Sequence, residues 1–155
     1  MENEMTLEEY QKQTADTVIY SHDIRMYYSV LGLIGEVGEF DEKVSNEEIL
    51  QELGDIMWYC SQICNEYELR LKQIIGPPLT LFRLTAKVAE LVKKYFRDKK
   101  EIKQELEDLI GRIVNQVHIL AKTTKRTVEQ VMDMNIKKLQ DRKDRNVLHG
   151  EGDNR

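Results

Sequence analysis

The amino-acid sequence predicts an all-α protein, a helical bundle of about six helices. Only two prolines occur, adjacent as Pro77-Pro78, so the rest of the chain carries no strong helix breaker. Leu, Ile, Glu and Lys dominate, and apolar residues recur at three- and four-residue steps between capping patterns. The 155 residues suit one domain, or two small repeats sharing one core, and 1–155 is read as a single all-α domain.

Thr6 followed by Glu9 is a capping box that opens a first helix reaching about Tyr20, and Ser21, His22 and Asp23 interrupt it. The second helix runs from about Arg25 to Val44. There Tyr28, Leu31, Ile34, Val37 and Phe40 recur at three-residue steps, a slowly rotating stripe predicted to face the core. Ser45 and Glu48 form another capping box, and the third helix keeps Ile49, Leu53, Ile56, Met57, Cys60 and Ile63 in helical register to about Leu69. Gly76-Pro77-Pro78 stops this pattern. A fourth helix is predicted from about Leu79 to Phe96, a fifth from about Lys99 behind an Asp98 cap to Leu120, and a sixth from Thr127 to about Lys143. The stretch 146–155 is a polar tail containing Gly150 and Gly152.

The formal net charge is -5, with Lys and Arg interleaved among Asp and Glu, which argues against binding nucleic acid through its phosphate backbone. A small phosphorylated ligand stays open where a divalent metal supplies the positive charge. Cys60 and Cys64 share one helix face and read as buried, reduced thiols, too few donors for a zinc site. His22, His118 and His149 fit no triad or zinc-helix pattern. Neither a leader nor a membrane-length apolar run is visible, so no membrane partner and a cytoplasmic location are expected.

An internal repeat relates the two halves. Val37-Gly38-Glu39-Phe40 matches Val88-Ala89-Glu90-Leu91 at an offset of 51, and Gln51-Glu52-Leu53-Gly54-Asp55 matches Gln104-Glu105-Leu106-Glu107-Asp108 at 53. Such a repeat usually marks one supersecondary unit stacked on another, here a pseudo-dimer of helical hairpins.

Glu36 and Glu39 are three apart on the second helix, and Glu52 and Asp55 three apart on the third. The short turn near Val44 to Asn46 makes these helices an antiparallel hairpin, so the four acids converge. Helical acids ordinarily form solvated faces. These border the apolar side instead, and Gly35, Gly38 and Gly54, each costing about 1 kcal/mol in a helix, suggest close approach or ligand access. Four clustered carboxylates repel unless a cation neutralises them. An all-oxygen donor set suits Mg²⁺, with Mn²⁺ as substitute, and phosphate oxygens commonly complete such a shell.

Leu33-Ile34-Gly35-Glu36-Val37-Gly38-Glu39, followed by Glu52-Leu53-Gly54-Asp55 and Trp58-Tyr59, resembles the MazG-type motif: EExxE, a spacer, then ExxD. The start, Leu7-Glu8-Glu9-Tyr10-Gln11, looks like that family's leading helix. The ending, Asn135-Ile136-Lys137-Lys138-Leu139 with Arg142 and then His149 to Arg155, is similar to phage and bacterial members. The resemblance implies a MazG-like four-helix core built from two helical-hairpin repeats. It further implies a nucleoside triphosphate pyrophosphohydrolase that cleaves between the α and β phosphates with Mg²⁺ on Glu36, Glu39, Glu52 and Asp55. Asn135 and Lys138 are the implied phosphate contacts, with Arg142, Asp153, Asn154 and Arg155 as weaker candidates, and a homo-oligomer, dimer or tetramer, is implied as well. Of the aromatics within reach of the acids (Phe40, Trp58, Tyr59, Tyr27 and Tyr28), most belong to the core, and Trp58 is the candidate for base contact.

Two positions depart from the pattern. Gly35 stands where the motif has its first acid, and Lys87 stands where the repeat would place Glu36. A lysine there can pair with Glu90 and replace a metal. Residues 1–75 are therefore read as the active half and 79–145 as a degenerate repeat. The alternatives are a hydrolase of another phosphoanhydride, such as an alarmone or phosphoribosyl-ATP, and a non-catalytic helical oligomerisation or binding module.

Overall fold

Threonine and serine caps set most of the helix starts. A computed structural model describes residues 3–149, with α1 over Leu7–Thr14, α2 over Arg25–Glu42, α3 over Asn46–Glu66, α4 over Leu81–Asp98, α5 over Lys103–Thr123 and α6 over Val128–Asp144. Capping boxes open α1 (Thr6 with Glu9), α3 (Ser45 with Glu48) and α6 (Thr127 with Gln130), and the Thr80 hydroxyl caps α4. No strand occurs among the described residues.

Residues 43–45 join α2 to α3, and a short link joins α4 to α5, giving two hairpins. α2 lies against α4 and α3 against α5, which makes the all-α four-helix core, while α1 and α6 pack on α3. Leu33, Leu53, Ile56, Met57, Ile63, Leu84, Leu106, Ile110, Ile113 and Met132 fill its centre. Cys60 and Cys64 are buried and unbridged, and burial pushes both thiols up, Cys64 to about 12.

The elements depart from expectation in four places, each for a local reason. α1 ends at Thr14, not Tyr20, because the Thr14 and Thr17 hydroxyls donate back to the carbonyls of Gln11 (3.0 Å) and Thr14 (2.8 Å), drawing the chain into a 3-10 turn over Ala15–Thr17. On α2, three-residue steps slip by about 60° each, so the predicted stripe meets the core only at its end, where Val37 is buried and Phe40 packs partly buried against it. Val30, Leu33 and Val37 are buried, while Tyr28 and Ile34 are more than one-third exposed and Leu31 is 64% exposed. The junction between α4 and α5 is not an Asp98 cap. Asp98 pairs with Arg97, Lys99 ends α4 at φ 54, and the Glu101 carboxylate accepts from the Lys103 amide. Finally, α3 stops at Glu66, and the segment that follows crosses α5, where the Ile74 amide donates to the Gly111 carbonyl at 3.0 Å.

Candidate metal centre

The α2–α3 hairpin brings three of the four predicted acids together. One carboxylate oxygen from each of Glu36, Glu39 and Glu52 lies within 4.8 Å of the others. Glu39 is exposed, Glu36 half-buried and Glu52 only 1% exposed. Neither buried oxygen of Glu52 accepts a hydrogen bond, although Lys43 Nζ stands 3.3 Å from Oε1 as an ion pair. Burial, reinforced by the Asp55, Glu39 and Glu52 charges, pushes Glu36 up to about 9. Burial also raises Glu52, partly offset by Lys43. The residues fit a hard divalent cation: the donors are all carboxylate oxygens, and two of those oxygens are buried with no hydrogen bond of their own.

Asp55, the fourth acid, is held from α6. Lys138 Nζ reaches its two oxygens at 2.7 and 2.9 Å, and the Asn135 amide donates to Oδ1 at 3.3 Å. Asn135 is buried because α6 approaches the α3 backbone closely. A Cβ on Gly54 would lie 3.2 Å from the Asn135 Cβ, so this glycine leaves the room that lets α6 dock. Gly35 and Gly38 have open space where a Cβ would stand. The second close approach is at Gly32, which the sequence reading did not single out and where the Tyr59 ring occupies that space.

Arg142 follows Lys138 by one turn and is buried. Trp58 is 8% exposed and spends its indole N–H on Thr17 Oγ1 at 2.8 Å. It stacks edge-on with Tyr20 and Tyr59. The ring of that cluster that reaches the surface is Tyr28, packed 4.6 Å from Tyr20. Asp153, Asn154 and Arg155 lie outside the described residues. Two neighbours of the acids escaped sequence reasoning. Lys43 could have been found as the first cation after α2. Tyr10, whose hydroxyl donates to Asn135 Oδ1 at 2.7 Å, could have been found as the large residue on the Tyr10–Thr14–Thr17 face of the first helix.

In the second hairpin the matching residues surround an open cavity of about 800 Å³ lined by Lys87, Glu90, Lys94, Lys100, Glu105 and Asp108. Glu90 pairs with Lys93 at 2.6 Å, and not with Lys87 as the repeat suggested, while Glu105 pairs with Lys100 at 3.3 Å. Hydrogen bonding from Lys93 lowers the Glu90 carboxyl. The only cluster of metal-ligating side chains among the described residues is the one in the first hairpin.

The sequence profile of the MazG nucleotide pyrophosphohydrolase domain matches residues 82–147. That span holds α4, α5 and α6, hence Asn135 and Lys138, and begins after the converged acids. The chain is also similar to the Gene 37 protein of Mycobacterium phage L5, with 30% identity over 90 residues, covering 45% of this chain and 79% of that protein. No solved structure matches significantly. No helix among the described residues is long and apolar enough to cross a membrane. With the profile resting on the helix that closes over the acids and the phage protein covered over most of its length, the chain belongs to the MazG nucleotide pyrophosphohydrolase family.

Proposed function

We propose that the protein hydrolyses nucleoside triphosphates to the monophosphate and pyrophosphate with Mg²⁺, or Mn²⁺ in its place, at Glu36, Glu39, Glu52 and Asp55. The observation that carries this reading is Glu52: a buried carboxylate whose oxygens accept no hydrogen bond, with Glu36 and Glu39 oxygens within 4.8 Å. The metal would neutralise these acids and the phosphate oxygens and so lower the barrier to attack at phosphorus.

The chain's own residues supply the rest. Glu36, Glu39 and Glu52 hold the charge-neutralising centre, and Lys138, now on Asp55, is placed to exchange that carboxylate for a phosphate oxygen. Asn135 presents an amide donor beside it. In the balanced reaction a water oxygen bonds to the α phosphorus and the bridging α–β oxygen leaves with pyrophosphate. The water's proton passes to a carboxylate of the group. Arg142 and residues 153–155 are proposed as outer phosphate contacts, and Tyr28 and Tyr59, in addition to Trp58, as ring surfaces near the base. We further infer that residues 1–75 form the working half and 79–145 the degenerate one, and that a second copy covers the exposed Tyr28, Leu31 and Ile34 face of α2.

The test is pyrophosphate release from a panel of ribo-, deoxy- and modified nucleoside triphosphates, with and without Mg²⁺. Metal-dependent release supports the reading. Release only from a tetraphosphate alarmone or phosphoribosyl-ATP would move the substrate to another phosphoanhydride.

A further inference from the structure

The first helix is fastened to α3 and to the segment that follows it by a ladder of polar bonds. Gln11 donates to the Leu69 carbonyl and accepts from the Leu71 amide, each at 2.8 Å. Thr14 and Ser61 hydroxyls meet at 2.6 Å, the Gln62 amide donates to the Thr14 carbonyl at 2.9 Å, and Trp58 donates to Thr17. Buried polar groups lose their hydration and need specific partners, so a ladder of this kind fixes one placement of α1 more sharply than apolar packing would.

At the α6 side of that helix stands Tyr10, 0% exposed, with its hydroxyl on Asn135 Oδ1. An ionised Asp55 only accepts, so the Asn135 NH₂ must face it, leaving Oδ1 toward the phenol as the one complementary arrangement. Burial and the Asp55 charge raise the phenol, which keeps it protonated and a donor. Gly54 leaves the room in which the Asn135 side chain sits, and a Cβ there would lie 3.3 Å from its Nδ2. The amide is thus held at both ends, and turning it over would set oxygen against oxygen at Asp55.

We propose that Tyr10 is a positioning residue of the metal and phosphate site: its hydroxyl locks the Asn135 amide, and through that amide the Asp55 carboxylate, in working orientation. This rests on the phosphohydrolase reading for its kinetic readout, while metal binding supplies a second readout independent of turnover.

Tyr10→Phe removes only the hydroxyl, and Ser61→Ala removes a comparable bond of the ladder remote from Asn135. Both variants, with Asn135→Ala and the Tyr10→Phe/Asn135→Ala double variant, would be assayed for Mn²⁺ affinity by calorimetry and for kcat/KM with a nucleoside triphosphate. Asn135→Ala, which removes a direct partner of Asp55, should lower both by about tenfold or more, and Tyr10→Phe, one step further out, by about threefold to tenfold. Ser61→Ala should lose stability but leave both unchanged, and the double variant should be no worse than Asn135→Ala alone. The proposal is overturned if Tyr10→Phe behaves like Ser61→Ala, if the losses multiply in the double variant, or if the wild-type protein binds no Mn²⁺. Wild-type protein that binds Mn²⁺ without turnover would defeat the hydrolase reading alone, and the affinity series would still decide the role of Tyr10.

Discussion

On α2 and α3 the acids turn toward one another, whereas on α4 and α5 the residues at matching spacing turn toward lysines. The difference lies in the local cations. Within α2 the one Lys or Arg is Arg25 at its first position, paired with Glu66, and α3 has none, so along these helices Glu36, Glu39 and Glu52 have only Lys43, just past the end of α2, as a neighbouring cation. α4 carries Lys87, Lys93 and Lys94 around Glu90, and Lys100 stands ahead of Glu105. Helical neighbours three or four residues apart pair readily, so acids surrounded this way are neutralised one by one at the surface. The glycines differ as well: Gly35 and Gly38 correspond to Ala86 and Ala89, so the first hairpin accepts poorer helix formers beside its acids. Paired acid spacing alone therefore does not make a metal centre, and the missing counter-charge is the more telling signal.

The sharpest way to break this comparison is to neutralise each hairpin in turn. Glu39→Gln or Glu52→Gln should reduce Mg²⁺-dependent pyrophosphate release by about 100-fold or more, while Glu90→Gln and Glu105→Gln leave it unchanged. Equal losses from both hairpins in a steady-state assay would defeat the assignment of one working half. Next in size is packing within α2. Gly32→Ala would drive a methyl into the Tyr59 ring and should cost about 3 kcal/mol in denaturant unfolding, whereas Gly35→Ala, facing open space, should stabilise by up to ~1 kcal/mol.

A smaller effect concerns protons. Glu36 titrates near 9 in the folded, metal-free protein against 4.5 ordinarily, so between those values the folded state holds the extra proton and stability falls as pH rises. In EDTA, Tm should drop by roughly 5 °C from pH 5 to pH 9, and Glu36→Gln should flatten that slope. A Tm that rises with pH in wild type and not in the variant would contradict the burial of this acid. Least of all should happen on restoring an acid in the second hairpin. Lys87→Glu leaves Glu90 and Glu105 with Lys93 and Lys100, so calorimetry should find the same Mn²⁺ stoichiometry as wild type.

Much of this is legible in the amino-acid sequence. The capping boxes at Thr6 and Ser45, and the threonine at 127, marked three helix starts because capping is local side-chain chemistry, and the ExxE and ExxD spacings pointed to the acids, three of which converge, because a three-residue step puts two groups on one face. What stayed hidden depends on rotation and distance. Of the stripe read as facing the core, Val37 and Phe40 reach it, while the drift of a three-residue step leaves Tyr28, Leu31 and Ile34 exposed. The bond from the Trp58 indole N–H to Thr17 joins positions 41 apart, which no helical spacing announces. Tyr10 and Asn135 are 125 positions apart, and no pattern in either helix announces their bond.

That separation also bears on when the centre comes into being during synthesis. A chain that has emerged only through α5 contains every converged acid and neither Asn135 nor Lys138. Domains made at about 5–20 residues per second complete their long-range contacts last, so the newborn protein has its acids in hand before the helix that orients Asp55 exists. The side chains that hold Asp55 arrive with α6, and an incomplete product ending before Val128 would bring the acids without them.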